Sequence, residues 1–175
     1  MGNLYFLIGL PRSGKSTIAK KWASGYINID KNSIIERDVP SWGSPRVIVC
    51  GDDIRLSLGH RYNIDVENYV SAIKDTMIKT LLKKHDVLVD GTHTTKNHIL
   101  SLLHIDPKAQ YYYLDTPVDI CEERAVEAIQ EDLYTSINRM RHNLFNLREG
   151  GSLSDTIDKL REEAKQTRFT NNICV

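Results

Sequence analysis

The sequence predicts one α/β domain, a parallel sheet with crossover helices, and three observations predict it. Short, near-continuous apolar runs recur along the chain, as strands buried on both faces of a sheet require. Segments with an apolar residue at every third or fourth position lie between those runs and read as helices. The length, 175 residues, suits a single core with little left over. In chain order, Leu4 to Ile8 is the first run; it passes at once into a glycine-rich turn, after which Thr17 to Ala23 is helical in pattern. Arg46 to Cys50, Val87 to Val89 and Tyr111 to Leu114 are the further runs, each rich in β-branched or aromatic residues. Val66, Val70, Ile73, Met77 and Leu81 draw one helical stripe, and Val118, Cys121 and Ala125 a second. Leu133, Ile137, Met140 and Leu144 draw a third. Leu153, Ile157, Leu160 and Ala164 mark a C-terminal helix over 153–168, with Ser152 placed to cap it. Residues 26–45, with Pro40, Trp42 and Pro45, form an excursion, and 148–154 (REGGSLS) a joint before the last helix. Neither divides the chain, so 1–175 is expected to be a single domain.

Composition removes several classes of function. The chain is 41% apolar, and its 23 Lys and Arg balance 23 Asp and Glu. A disordered tail protein would be less apolar and carry a large net charge. A surface that coats duplex nucleic acid would be strongly basic; a short local contact with nucleic acid stays open. No apolar stretch approaches the roughly 20 residues of a membrane helix, so no membrane partner is expected. The N-terminus lacks the basic start and cleavage site of a signal peptide, and Phe6 stands where a myristoylation pattern needs Ser or Thr. The three cysteines, Cys50, Cys121 and Cys174, make neither a disulfide framework nor a metal-ligand spacing. A reducing compartment follows, and the cytoplasm is the expected location (that of a host, if the chain is viral).

The segment Gly9-Leu10-Pro11-Arg12-Ser13-Gly14-Lys15-Ser16 matches GxxxxGK[ST] in full, with an apolar run before it and a helical pattern, from Thr17, after it. Successive backbone N–H groups of such a loop converge on a polyphosphate, and glycine lets the main chain come close. The positive end of the following helix adds to the attraction. Lys15 is expected to reach the β- and γ-phosphates and the Ser16 hydroxyl to ligate Mg²⁺. The loop therefore predicts a nucleoside triphosphate, and leaves the phosphate acceptor open.

A GTPase would carry an NKxD base-reading motif, and the sequence has none. A kinase needs a group that handles the acceptor hydroxyl and cations around the transferred phosphoryl. The run Val47 to Cys50 ends in Gly51-Asp52-Asp53-Ile54-Arg55, where ligands of open α/β sheets bind. Asp52 and Asp53 read equally as a catalytic carboxylate and as helix caps. If a helix begins there, Arg55 lies on a neighbouring face three residues on. The run Asp86 to Val89 ends in Asp90-Gly91-Thr92-His93; Asp90 reads as a Mg²⁺ ligand or as a turn former, and His93 as a substrate contact or a solvated side chain. Asp115-Thr116-Pro117 turns the last run into a helix, with Pro117 suited to its first position. Arg124 on that helix reads as a lid cation over the nucleotide phosphates or as an exposed ion pair. Arg139 and Arg141 are further candidates, and a solvated helix face explains them as well.

Together GLPRSGKST, GDDIRLSLGHRY, VLVDGTH and DTPVDICEERA resemble the small P-loop kinases, above all the kinase domain of phage-type polynucleotide 5′-hydroxyl kinases. The resemblance spans Leu4 to Arg141. It implies the P-loop NTPase fold, a doubly wound parallel sheet flanked by helices, with ATP and Mg²⁺ as cofactors. It makes Gly9, Arg12, Ser13, Gly14, Lys15, Ser16 and Thr17 the ATP-binding residues, and Ser16 and Asp90 the metal ligands. Asp52 corresponds to the general base on the 5′-hydroxyl, Arg55 to the arginine that grips the acceptor's neighbouring phosphate, and Arg124 to a lid arginine. The position of a second lid arginine, one turn on, is Ala128. No phosphatase domain follows, so the chain is expected only to add phosphate. Asp30, at the end of a strand-like run, is a rival base; Asp52 is preferred because Arg55 accompanies it. The expected acceptor is the 5′-hydroxyl of a DNA or RNA end. The alternatives are a small acceptor (a nucleoside, a nucleotide or a modified base) and a nucleotide-binding regulator without transfer activity. In the first two readings Asp52 faces the loop across a gap that one phosphorus spans.

Overall fold

The computed structural model describes residues 1–40, 45–59, 63–128, 133–148 and 151–173, the side chains of 134 and 168–173 excepted. Trp42, His60, Arg61, Tyr62, Glu149, Gly150 and Cys174, all read in the sequence, lie outside the described residues. The first half runs β1 (Leu4–Ile8), α1 (Lys15–Ala23), β2 (Ile27–Asp30), β3 (Ser33–Glu36), β4 (Arg46–Cys50), α2 (Gly51–Ser57) and α3 (Ile64–Leu81). Then come β5 (Asp86–Asp90), α4 (Lys96–Ile105), β6 (Gln110–Tyr113), α5 (Val118–Glu127), α6 (Leu133–Leu147) and α7 (Leu153–Ile173). The four runs read as strands are strands, to within one residue at either end. Two compact units emerge from the contacts: Met1–Leu7, Lys15–Gly91 and Gln110–Tyr112 form the first, and Ile8–Gly14, Thr92–Ala109 and Tyr113–Val175 the second.

The first unit carries a four-stranded sheet in the order β4-β5-β1-β6. The central strand β5 runs parallel to both of its neighbours, pairing Leu4 with Val87 on one side and Cys50 with Asp90 on the other. Val87, Leu88 and Val89 are all fully buried. Successive residues of a strand point to opposite faces, so both faces of the sheet are covered, as the unbroken apolar runs require. Each such side chain contributes about 1.5–3 kcal/mol on burial. Phe6 of β1 packs on Tyr111 of β6, ring centroids 5.9 Å apart. Arg46, at the start of β4, ties the sheet to the end of α1: it donates to the carbonyls of Trp22 at 2.7 Å and Ile27 at 2.9 Å, and its guanidinium lies 5.1 Å above the Trp22 ring.

The excursion contains an antiparallel hairpin rather than a plain connection. β2 pairs with β3 from Ile27–Glu36 to Asp30–Ser33, and Lys31 and Asn32 turn between them with φ of 46° and 65°. Two successive left-handed residues make the type I′ turn whose twist suits a two-residue hairpin. In α3, the line that is buried differs from the stripe read in sequence. Val70, Ile78 and, just past the helix, Leu82 are buried, whereas Ile73 and Met77 are 36% and 38% exposed. Val70 is common to both sets.

In the second unit α4 packs on α7 and α5 on α6. Leu153, Ile157, Leu160 and Ala164 of α7 are all buried, as their spacing predicts. The predicted cap is present: the Ser152 hydroxyl accepts from the Asp155 N–H at 3.1 Å, and the Asp155 carboxylate accepts from the Ser152 N–H at 3.2 Å. Helix α5 begins at Val118, with Pro117 as its N-cap rather than its first residue. Helix α4, absent from the sequence reading, buries Ile99, Leu102 and Leu103 and is capped by Thr95, which accepts from the His98 N–H. No helix among the described residues is long and apolar enough to cross a membrane.

Candidate active site

Within the first unit, the parallel register gathers chemistry at one edge of the sheet. Asp90 ends β5, and directly beside it Cys50 ends β4. Asp90 is 8% exposed, and its Oδ2 accepts from the Ser16 hydroxyl at 2.8 Å. Lys15, the first residue of α1, is buried alongside the apolar core of that helix. The fold thus brings Ser16 and Asp90 together, although 74 positions separate them.

Helix α2 starts directly after Cys50, so Asp52 and Asp53 fall in its first turn. Neither caps it: Cys50 is the N-cap. Burial pushes the Cys50 thiol up, opposed by the Asp53 and Asp52 N–H groups that point at its sulfur. The Asp52 side chain is 83% exposed, and its carboxylate pairs with the Arg55 guanidinium. The i,i+3 neighbourhood expected of these two residues is therefore an ion pair. Arg55 also meets Glu67 of α3 through two bonds, Nε to Oε1 at 2.5 Å and Nη2 to Oε2 at 2.8 Å. Both of these side chains are largely shielded from solvent. The Glu67 hydrogen bonds raise Arg55 above its usual range, and the same bonds hold the Glu67 carboxyl below its own. Asp30 lies exposed beside the hairpin turn, and Asp53 is exposed on α2.

The second unit holds the front of the glycine loop. A Cβ on Gly9 would stand 2.9 Å from the Ser13 hydroxyl and 3.2 Å from the Leu114 carbonyl, which leaves room for glycine alone. Gly14 has φ of 101°, a conformation that side chains disfavour. Arg12 adopts φ of 62° despite its side chain, the kind of strained backbone found at functional loops. Two side chains from the β6–α5 region take the loop's carbonyl oxygens: Thr116 Oγ1 donates to Ser13 at 2.8 Å and Arg124 Nη1 to Arg12 at 3.2 Å. Arg124 is thus engaged with the loop itself, while Arg139 and Arg141 are exposed on α6. His93 is 6% exposed with φ of 43°, a buried and strained residue rather than a solvated one. Thr17 is exposed on the outer side of α1.

Glu67 and Thr116 are the partners that sequence reasoning did not assign. Thr116 bonds a residue 103 positions away, and Glu67 reaches Arg55 from another helix, so neither contact leaves a local pattern.

No protein-family model and no curated protein matches the sequence. Solved structures do match in fold. One is a chain of the Pnkp1/Rnl/Hen1 complex, 22% identical with a TM-score of 0.55 over 70% of this chain and 39% of that one. A second is a chain of the Pnkp1/Rnl/Hen1 RNA repair complex, 19% identical with a TM-score of 0.56 over 97% and 46%. A third is a gluconokinase from Sinorhizobium meliloti 1021, 15% identical with a TM-score of 0.50 over 96% and 97%. The chain spans less than half the length of the matched Pnkp1/Rnl/Hen1 chains. At these identities the likeness is one of fold alone: a parallel sheet flanked by helices, the architecture these structures share.

Proposed function

We propose that the chain transfers the γ-phosphoryl group of ATP to a hydroxyl, with the 5′-hydroxyl of a DNA or RNA end as the acceptor and Asp52 as the general base. The observation that carries this reading is the meeting of Ser16 and Asp90 at 2.8 Å beside a strand end, Cys50, that leads straight into Asp52 and Arg55. The ATP phosphates are assigned to the loop Gly9–Ser16, with Lys15 on the β- and γ-oxygens. Ser16 and Asp90 offer two hard oxygen donors side by side, a set that fits Mg²⁺, which takes one or two protein oxygens and fills its shell with water and phosphate. When bound, the ion would offset charge on the transferred phosphoryl.

In the transfer, the acceptor oxygen forms a bond to Pγ as the bond from Pγ to the β–γ bridging oxygen breaks, and ADP leaves. Asp52 takes the hydroxyl proton; its 83% exposed carboxylate is accessible to an acceptor arriving from solvent. Arg55 holds the acceptor's neighbouring phosphate, and Arg124 serves as the lid cation. His93 contacts the substrate.

A second reading rests on the gluconokinase likeness, which extends over nearly the whole of both chains. It gives the same transfer to a small hydroxylic acceptor, and the balanced charge of the sequence accords with that as well. Phosphate transfer from labelled ATP to a panel of 5′-hydroxyl oligonucleotides, nucleosides, nucleotides and small polyols separates the two. Label on oligonucleotides supports the first reading, and label on monomers alone replaces it with the second. ATP binding without transfer to any acceptor would sink both and leave a nucleotide-binding regulator.

A further inference from the structure

We infer that Glu67 is the positioning residue of the acceptor half of the site, acting through Arg55; this rests on the function proposed above. Helix α2 is only seven residues long and anchors itself through a single buried side chain, Ile54. A long guanidinium side chain on so short a helix has many rotamers open to it. Glu67 removes that freedom. Its two oxygens take Nε and Nη2 of Arg55 in a forked contact, a geometry that fixes the plane of the guanidinium as well as its place. With that edge fixed on α3, the Nη1 end lies on Asp52, so the chain Glu67–Arg55–Asp52 sets the direction of the proposed base too.

Stability alone is a poor account of this contact. Asn63 already caps α3, and Glu67 shares the acidic first turn with Asp65. The pair joins α2 to α3 with both side chains only 21% exposed, so it also adds to stability. What the fork adds is orientation, and orientation matters where a hydroxyl must meet a phosphorus in line.

The test is steady-state transfer by Glu67→Gln and Glu67→Asp, with nucleotide and acceptor varied separately. Glu67→Gln keeps the size and removes the charge; it should lower kcat/KM for the acceptor by about 10²-fold while leaving the KM for ATP unchanged. Glu67→Asp, which keeps the charge one methylene short, should recover part of the loss. In an Arg55→Lys background the Glu67→Gln change should cost almost nothing further, because its effect passes through the guanidinium. The Arg55 Nε–H resonance, followed by NMR without any substrate, should be slow to exchange in the wild type and fast in Glu67→Gln. An acceptor kcat/KM unchanged in Glu67→Gln, or an undiminished loss in the Arg55→Lys background, overturns this role while leaving the proposed kinase intact. A wild-type chain that transfers to no acceptor overturns the function itself, and the role with it.

Discussion

Replacing Asp52 should separate catalysis from stability more cleanly than any other change in the chain. The carboxylate is 83% exposed and makes a single i,i+3 ion pair, so its removal in Asp52→Ala forfeits about 0.3–0.5 kcal/mol. In a chain of 175 residues that lowers Tm by only about 1–2 °C. Arg55 is not left unpaired, because Glu67 keeps its two bonds at 2.5 and 2.8 Å. Loss of a general base costs about 10²–10⁴ in rate, or about 3–5 kcal/mol in the barrier. The expected result is thus a well-folded protein, unchanged in ATP affinity, whose kcat for phosphate transfer has fallen by at least about 10²-fold. Asp52→Asn, which keeps the shape and removes the proton acceptor, should fall as far. The assay is transfer of labelled phosphate at saturating ATP, with melting curves and nucleotide titration on the same samples. Transfer by Asp52→Ala within about threefold of wild type would refute the assignment, since proton abstraction by a base carries more than that. Asp30 and Asp53 would then be the carboxylates to replace.

Three further outcomes follow from the geometry. Ser16→Ala removes the 2.8 Å bond to a carboxylate that is 8% exposed, so it should raise the Mg²⁺ concentration for half-maximal transfer by about 10-fold or more and lower Tm by several degrees; an unaltered Mg²⁺ titration would remove Ser16 from the metal site. Gly9→Ala forces a Cβ to 2.9 Å from the Ser13 hydroxyl and 3.2 Å from the Leu114 carbonyl, at a cost of about 1–3 kcal/mol that a denaturant midpoint would register. The Glu67 carboxyl is held below its usual value near 4.5, so the stability it supplies is present above that pH and is lost as the pH falls through the folded value. Melting temperatures of wild type and Glu67→Gln should accordingly differ at pH 6 and converge on acidification below about 4.5; a gap that widens in acid contradicts the pairing.

What the sequence made legible was whatever is encoded by neighbours along the chain. The strands show because parallel strands buried on both faces need unbroken apolar runs, and Val87, Leu88 and Val89 supply one. The phosphate loop shows because its glycines, lysine and serine are contiguous. The cap at Ser152 shows because Asp155 is three residues away. Helix α4 did not show, since Ile99, Leu100, Leu102 and Leu103 crowd together instead of drawing a stripe. The hairpin was half legible: Ile27 to Asp30 reads as a strand, but Lys31-Asn32 is not the Asn-Gly or Asp-Gly pair that advertises a type I′ turn. On α3 the stripe holds only in part: Val70 is buried, Ile73 and Met77 are partly exposed, and Ile78 and Leu82, outside it, are buried.

In the site the same division has chemical consequences. Parallel register is a strong constraint on residues that follow strands: once Cys50 lies beside Asp90, whatever follows β4 and β5 emerges at the same end of the sheet. Helix α2, which carries Asp52, starts beside Asp90 for that reason, while Ser16 reaches Asp90 from the start of α1. Register says nothing about what holds a side chain still after it has emerged. For Arg55 that is Glu67, and for the carbonyls of the phosphate loop it is Thr116 and Arg124, which bond residues 103 and 112 positions away. These partners arrive from helices and turns whose packing no local pattern records. A sequence motif therefore identifies the groups that would act, while the groups that orient them become visible only through tertiary contact. In this chain the Arg55 guanidinium, which pairs with the exposed Asp52 carboxylate, is held from another helix by Glu67.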